Sequence, residues 1–146
     1  MFNILIVEDD KELSQLFRKV LEKNGYQVKC ASDGMQALET LDTAYIDLII
    51  SDIMMPVMDG YELVSRLRAA GYQIPVLMIT AKGTFDDMRQ GFLSGSDDYM
   101  VKPVNVNEMV LRVGALLRRA QILSAHKIII GSTEFDYDQM TVKIGS

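Results

Sequence analysis

Five short apolar runs alternate with helical patterns along roughly the first 120 residues of this chain. The runs occupy residues 3–7, 26–31, 46–51, 75–79 and 98–101, and apolar residues at helical spacing follow each of them. Such alternation favours parallel strands joined by helices that cover both faces of one sheet. The run at 46–51 is almost wholly apolar and indicates a central strand, whereas the run at 26–31 alternates like an edge strand.

The intervening segments predict helices over residues 12–24, 33–41, 58–70, 85–94 and 105–121. Several of these segments end at glycine, including Gly25, Gly71 and Gly95. Five strand–helix units of this kind predict an α/β fold, a flavodoxin-like (βα)5 doubly wound parallel sheet with strand order 2-1-3-4-5.

The pattern changes after residue 121. Short apolar runs at 128–131, 133–135 and 140–144 are separated by turn residues, and no helical pattern follows. Three short strands bury too little surface to be stable alone. We therefore predict a first domain over 1–121, a linker over 122–127, and the truncated antiparallel β-sheet of a second domain over 128–146.

Composition limits the classes of function. The net charge is −5 and the sequence pI is about 4.8, so the electrostatic field of the chain alone does not favour nucleic acid. No apolar run is long enough to span a membrane, and the N-terminus has no signal-peptide pattern. The single cysteine, Cys30, excludes an internal disulfide. We expect a cytoplasmic protein that does not associate with membranes.

Chemically useful side chains follow four of the predicted strands. In the predicted order these four strands are neighbours, so their carboxyl ends meet at one edge of the sheet. Each of these residues could instead have an ordinary structural role, since acids cap helices and lysines lie on surfaces. Their coincidence at one edge nevertheless favours a site. The residues are Glu8, Asp9 and Asp10 after the first strand, Asp52 at the third, Thr80 at the fourth and Lys102 at the fifth.

Three carboxylates held close together repel one another, and a hard divalent cation such as Mg²⁺ relieves that repulsion. Asp52 would be the nucleophile that accepts a phosphoryl group as an acyl phosphate. Glu8 and Asp9 would hold Mg²⁺ together with Asp52 and the backbone carbonyl of Met54. The neighbouring hydroxyl and lysine would bind the phosphoryl oxygens.

Four motifs extend this interpretation. They are ILIVEDD at 4–10, SDIMMP at 51–56 with Asp59-Gly60, TAK at 80–82 and GSDDYMVKP at 95–103. Residues 1 to about 120 resemble the receiver domain of two-component response regulators. The resemblance implies Mg²⁺-dependent phosphoryl transfer from a sensor histidine kinase to Asp52 and a cis peptide between Lys102 and Pro103. It also implies that Thr80 and Tyr99 form a switch pair.

The segments DDY at 97–99, EMVLR at 108–112 and LLRR at 116–119 are similar to the OmpR/PhoB subfamily. That similarity implies a homodimer, formed on phosphorylation, through the fourth predicted helix, the fifth strand and the fifth helix. Its ion pairs would join Asp97 to Arg112 of the partner subunit and Asp98 to Arg119 of the partner subunit. The implied dimer face consists of Asp97, Asp98, Glu108, Arg112 and Arg119.

One position departs from the subfamily pattern. Met88 stands where a basic residue is usual, so a pairing with Glu108 is lost. The tail fits the small sheet that opens a winged-helix DNA-binding domain in this subfamily. DNA binding and transcriptional control would therefore belong to the part of the parent protein that these residues do not include.

Three other functions compete with a phosphorylated switch. An aspartate-nucleophile phosphatase usually has a second acid two residues after the nucleophile, where this chain has Met54, so we expect no enzyme acting on external substrates. A flavodoxin-type electron carrier needs a phosphate-binding loop after the first strand, but Glu8, Asp9 and Asp10 would repel the flavin phosphate. A receiver-like interaction module that is not phosphorylated remains an alternative.

Overall fold

The computed structural model describes residues 2–81 and 95–132, with side chains up to Gln121. Its strands are β1 Asn3–Val7, β2 Gln27–Ala31, β3 Leu48–Asp52, β4 Val76–Thr80 and β5 Asp98–Val101. Its helices are α1 Lys11–Lys23, α2 Gly34–Thr43, α3 Gly60–Ala69 and a C-terminal helix, Val106–Ser132. All adjacent strands are parallel, in the order β2-β1-β3-β4-β5, which confirms the predicted fold and strand order. The helix predicted over 85–94 lies outside the described residues.

The central strands carry the apolar runs because both of their faces are covered. Every residue of β3 and β4 is buried. One face of the sheet packs against α2 and α3, with Leu41 and Leu67 in that core, and the other packs against α1 and the C-terminal helix through Phe17 and Val113. Helices cover both faces of the described sheet, and its carboxyl end holds the predicted site residues.

An aspartate caps the N-terminus of each of the three helices α1 to α3. Asp10 accepts hydrogen bonds from the backbone N–H groups of Glu12 and Leu13, and Asp33 and Asp59 cap α2 and α3 in the same way. These caps satisfy N–H groups that have no partner within the helix. Asp10 is therefore a helix cap, as the alternative interpretation of these acids predicted. Glu8 and Asp9 precede the cap and face the end of the sheet.

The C-terminal helix is longer than the sequence pattern predicted. It continues to Ser132, across the predicted linker at 122–127, and the strand predicted at 128–131 is wrong because this segment is helical. A helix satisfies its backbone hydrogen bonds within its own segment, whereas a strand needs a neighbour. The strands predicted at 133–135 and 140–144 lie outside the described residues, so the division into domains stays a prediction.

No helix in the described part of the chain is long and apolar enough to cross a membrane.

Candidate functional site

The carboxyl end of the sheet brings the predicted residues together. Glu8 follows β1, Asp52 ends β3, Thr80 ends β4 and Lys102 follows β5. The register makes this convergence unavoidable, because Val7 pairs with Ser51, Asp52 with Ile79, and Thr80 with Val101. Neighbouring strands therefore end within about a residue of one another, and each delivers its side chain to the same edge.

Three carboxylates form a compact cluster at this edge. Glu8, Asp9 and Asp52 each offer an oxygen, and these oxygens lie within 4.8 Å of one another. Glu8 and Asp52 are both 5% exposed, whereas Asp9 is exposed to solvent. An oxygen-only donor set of this charge suits a hard divalent cation. The carboxylates thus fit the predicted metal ligands by type and by spacing.

Lys102 supplies the cation that partly neutralises this cluster. Its Nζ lies 3.1 Å from Asp52 Oδ2 and 3.5 Å from Glu8 Oε1. Its backbone N–H donates to the carbonyl of Thr80 at 2.7 Å, and the peptide to Pro103 is cis, as predicted. An ammonium between two buried carboxylates reduces their repulsion, so Lys102 is part of the electrostatics of the cluster as well as a phosphate-binding candidate.

Burial governs the ionisation of Glu8. Removal from water, helped by the charge of Asp52, raises the pKa of this carboxyl to about 7, and the Asp10 N–H and Lys102 oppose that rise. The pKa of Lys102 is also raised. Burial alone lowers it, but the hydrogen bond to Asp52 and the charges of Asp52 and Glu8 outweigh burial. Lys102 is therefore cationic at neutral pH, while Glu8 gains or loses its proton there.

The loop after β3 stays close to Asp52. The backbone N–H of Met54 lies 3.4 Å from Asp52 Oδ1, and the Met54 side chain is 56% exposed. Gly60, the first residue of α3, leaves no room for a side chain, since an added Cβ would lie 2.6 Å from the backbone oxygen of Asp52. The motif Asp59-Gly60 does not by itself predict this contact, because Asp33-Gly34 begins α2 in the same way and an added Cβ on Gly34 would meet the Met58 side chain instead of backbone.

The predicted switch residues are both buried. Thr80 is 0% exposed at the end of β4, and Tyr99 is 5% exposed on the adjacent strand, where its register partner is Met78. The tyrosine ring lies in the apolar core between the sheet and α2 and α3. It is therefore an interior residue, and its role as a switch stays a prediction.

Four of the five residues of the predicted dimer face, Asp97, Asp98, Glu108 and Arg112, form ion pairs within the chain. Arg112 Nη1 donates to both oxygens of Asp98, at 2.8 and 3.0 Å, and its Nε and Nη2 bind Glu108 at 2.9 and 2.8 Å. Asp97 accepts from Arg68 at 3.0 Å and from the backbone of β4 at 2.9 Å. The interchain pairs inferred from the sequence stay a prediction.

Arg119 differs from the other members of that face. It is exposed on the C-terminal helix, and within residues 2–81 and 95–121 it forms no ion pair. Of the basic residues predicted on the dimer face, it is the one whose charge has no acidic partner in the described part of the chain. Met88, the departure from the subfamily pattern, lies outside the described residues.

A family model described as the response regulator receiver domain matches residues 4–114. The chain belongs to this family. The matched range contains every residue of the acidic cluster together with Thr80, Lys102 and most of the predicted dimer face, which confirms the resemblance seen in the motifs.

Relatives and solved structures agree with this assignment. The heme response regulator HssR of Staphylococcus epidermidis is 40% identical over 146 residues, 100% of this chain and 65% of HssR. The transcriptional regulatory protein CpxR of Escherichia coli is 45% identical over 120 residues, 82% of this chain and 51% of CpxR. The receiver domain of the Francisella response regulator 1452 superposes with a TM-score of 0.79 at 35% identity, covering 82% of this chain and 99% of that domain.

The chain thus spans between half and two-thirds of the length of these regulators. Relatives named as response and transcriptional regulators support the OmpR/PhoB-type subfamily.

Proposed function

We propose that this receiver domain is a phosphorylation switch in which Asp52 accepts a phosphoryl group. The main support for this proposal is the environment of the Asp52 carboxylate. This carboxylate is 5% exposed, lies 3.1 Å from the Lys102 ammonium and belongs to a cluster of three carboxylates. A buried nucleophile between a fixed cation and a cation-binding cluster meets the electrostatic demand of phosphoryl transfer.

The reaction follows from these groups. A carboxylate oxygen of Asp52 attacks the phosphorus in line, the bond from phosphorus to the donor breaks, and an aspartyl phosphate forms. With a sensor histidine kinase as the donor, the bond that breaks is the P–N bond of a phosphohistidine protonated on its other ring nitrogen, and the imidazole leaves as a neutral ring. The Lys102 ammonium then pairs with a phosphoryl oxygen instead of the Asp52 carboxylate, and Thr80 donates its hydroxyl to another.

Mg²⁺ is the cation that we assign to Glu8, Asp9, Asp52 and the Met54 carbonyl. When bound, it neutralises charge on the carboxylates and on the phosphoryl oxygens. The absence of an acid at Met54 argues against rapid turnover of external substrates, so we propose a stoichiometric switch and not an enzyme.

The output of the switch is dimerisation through the face that carries Asp98 and Arg112, and through it transcriptional control. The relatives named as transcriptional regulators extend beyond the length of this chain, which supports DNA binding by a further domain of the parent protein. Phosphorylation would favour one of two receiver conformations and so create the dimer face. The proposed partners are a sensor histidine kinase, a second copy of the chain and, through that further domain, DNA.

Acetyl phosphate tests this proposal without a kinase. We expect the protein incubated with acetyl phosphate and Mg²⁺ to gain one phosphoryl group by intact mass and to elute as a dimer. Asp52→Asn should show neither change, whereas Asp42→Asn, the same substitution on the exposed face of α2, should behave as the wild type. An adduct that persists in Asp52→Asn would place the nucleophile elsewhere. No adduct on a wild type that binds Mg²⁺ would favour the interaction module that is not phosphorylated.

A further inference from the structure

Val57, in the loop between β3 and α3, has a backbone conformation that is unfavourable for its residue type. Its φ is +72°, in the left-handed region that β-branched residues rarely adopt. The side chain is 81% exposed, so burial of the valine does not offset the cost. Strain of this kind persists only where the surrounding structure imposes it, and it is common close to functional sites.

The neighbours of Val57 explain why the strain falls on this residue. Pro56 has a fixed φ and restricts Met55 before it to extended conformations. Met58 is 2% exposed, and its side chain fills the space that Gly34 leaves open. The chain must therefore reverse between Pro56 and Met58. The Met58 N–H donates to the Pro56 carbonyl at 2.7 Å, which closes a three-residue γ-turn centred on Val57.

The loop that contains this turn is closed at its base, beside the candidate metal site. The Gly60 N–H donates to the Ile53 carbonyl at 2.9 Å, so residues 53–60 form a ring. At the base of the ring, Gly60 packs against the backbone of Asp52. Met54 lies in the same ring, with its N–H 3.4 Å from Asp52 Oδ1. Because both ends are fixed, the turn at Val57 limits the conformations open to Met54.

We propose that Val57 is a positioning residue, whose strained γ-turn holds the Met54 backbone beside Asp52 and thereby strengthens cation binding at the expense of stability. This inference rests on the proposed Mg²⁺ site. Its distinctive consequence is that stability and Mg²⁺ affinity change in opposite directions when position 57 gains conformational freedom, as it does with glycine. A residue that served the fold alone would change both in the same direction, since a looser fold also loosens the site.

Val57→Gly tests the inference, because glycine adopts positive φ without strain but also populates other conformations. We expect its melting temperature, measured without Mg²⁺ by circular dichroism, to rise by about 2–4 °C as the strain is released. We expect calorimetry to show Mg²⁺ binding weakened by roughly two- to five-fold, because the loop gains freedom. Val57→Asn should raise the melting temperature while Mg²⁺ affinity stays near the wild-type value, since asparagine tolerates positive φ with less freedom.

Tyr45→Gly is the matched control. Tyr45 is 77% exposed in a loop at the opposite end of the sheet, so this variant should lose stability and keep its Mg²⁺ affinity. A melting temperature that falls in Val57→Gly as it does in the control would show that the turn is not strained. A higher melting temperature with unchanged Mg²⁺ affinity in Val57→Gly would show strain without positioning, and either result in this variant overturns the inference. A wild type that binds no Mg²⁺ would instead refute the proposed cation site itself.

Discussion

The buried Glu8 carboxyl should make cation binding depend on pH close to neutrality. Burial, with the charge of Asp52 as a smaller cause, raises its pKa from 4.5 to about 7. A protonated carboxyl is a poor ligand for a hard cation, so below this pKa Mg²⁺ must displace a proton from Glu8. We therefore expect the apparent Mg²⁺ affinity to fall as the pH falls through about 7.

The size of the effect follows from the ionised fraction of Glu8. With a pKa of about 7, roughly nine-tenths of the carboxyl is ionised at pH 8 and roughly one-tenth at pH 6, so the affinity should fall about tenfold. The stability of the Mg²⁺-free protein depends on pH in the opposite direction and falls as the pH rises. The folded state binds this proton more tightly than the unfolded state, so the stabilisation is complete below about pH 4.5 and is lost as the pH rises through about 7. The loss is on the order of 3 kcal/mol.

Calorimetric titration of Mg²⁺ at pH 6, 7 and 8 measures this effect, in buffers matched for ionic strength but different in ionisation enthalpy. The expected result includes release of nearly one proton per ion at pH 6 and of almost none at pH 8. Glu8→Gln should bind Mg²⁺ more weakly and lose the pH dependence in this window. Wild-type affinity that changes by less than about twofold between pH 6 and 8 would refute the reasoning.

Substitutions at four other positions, with one control, separate roles that the site combines. Lys102→Ala should keep most of its Mg²⁺ affinity but show no dimer by size exclusion after acetyl phosphate treatment, and an unchanged dimer would remove the lysine from the switch. Gly60→Ala should lose about 1–3 kcal/mol in urea unfolding, because the added Cβ meets backbone at 2.6 Å. Gly114→Ala is its control and should gain up to about 1 kcal/mol, since its Cβ meets nothing closer than 3.9 Å. Asp10→Ala should cost about 1 kcal/mol of stability as a lost helix cap, whereas Asp9→Ala should weaken Mg²⁺ binding with little effect on unfolding. The opposite result would make Asp9 the helix cap and Asp10 the metal ligand.

The parallel sheet and the acidic cluster were predictable because both depend on patterns that the sequence carries directly. Apolar runs that are buried on both faces indicate central strands, and parallel strands necessarily place their carboxyl ends at one edge. The assignment of Glu8, Asp52, Thr80 and Lys102 to that edge needed only the strand order. For this reason the convergence of the site could be predicted before any distance was known.

Other features depend on contacts that sequence patterns do not encode. Three consecutive acids signal a helix start without indicating which one caps it, and the structure assigns the cap to Asp10. Val57 has no local signal for a positive φ, since β-branched residues normally avoid it. The run at 128–130 fits a strand or a helix equally well by periodicity, and here the backbone is helical.

The ion pairs within the chain change what the proposed dimer can gain from charge. Arg112 already binds Asp98 and Glu108, so a contact with Asp97 of the partner subunit would replace or share existing bonds. Exposed and partly exposed ion pairs contribute about 0–1 kcal/mol each, so exchanging one for another adds little affinity. New affinity must come from groups without such a partner. Leu111, 73% exposed on the same helix, and Arg119 are the candidates.

We therefore expect Leu111→Ala and Arg119→Ala to weaken the phosphorylated dimer while the unphosphorylated monomer keeps its stability. The Arg119 effect should not exceed about fivefold, the equivalent of roughly 1 kcal/mol for one exposed pair. Arg112→Ala should instead lower the stability of the monomer, because it leaves Asp98 and Glu108 without their shared cation. Sedimentation equilibrium of the phosphorylated variants, together with urea unfolding of the monomers, distinguishes these effects. A large loss of dimer in Arg112→Ala with unchanged monomer stability would contradict the argument, since it would make the interchain pair worth more than the pairs it replaces.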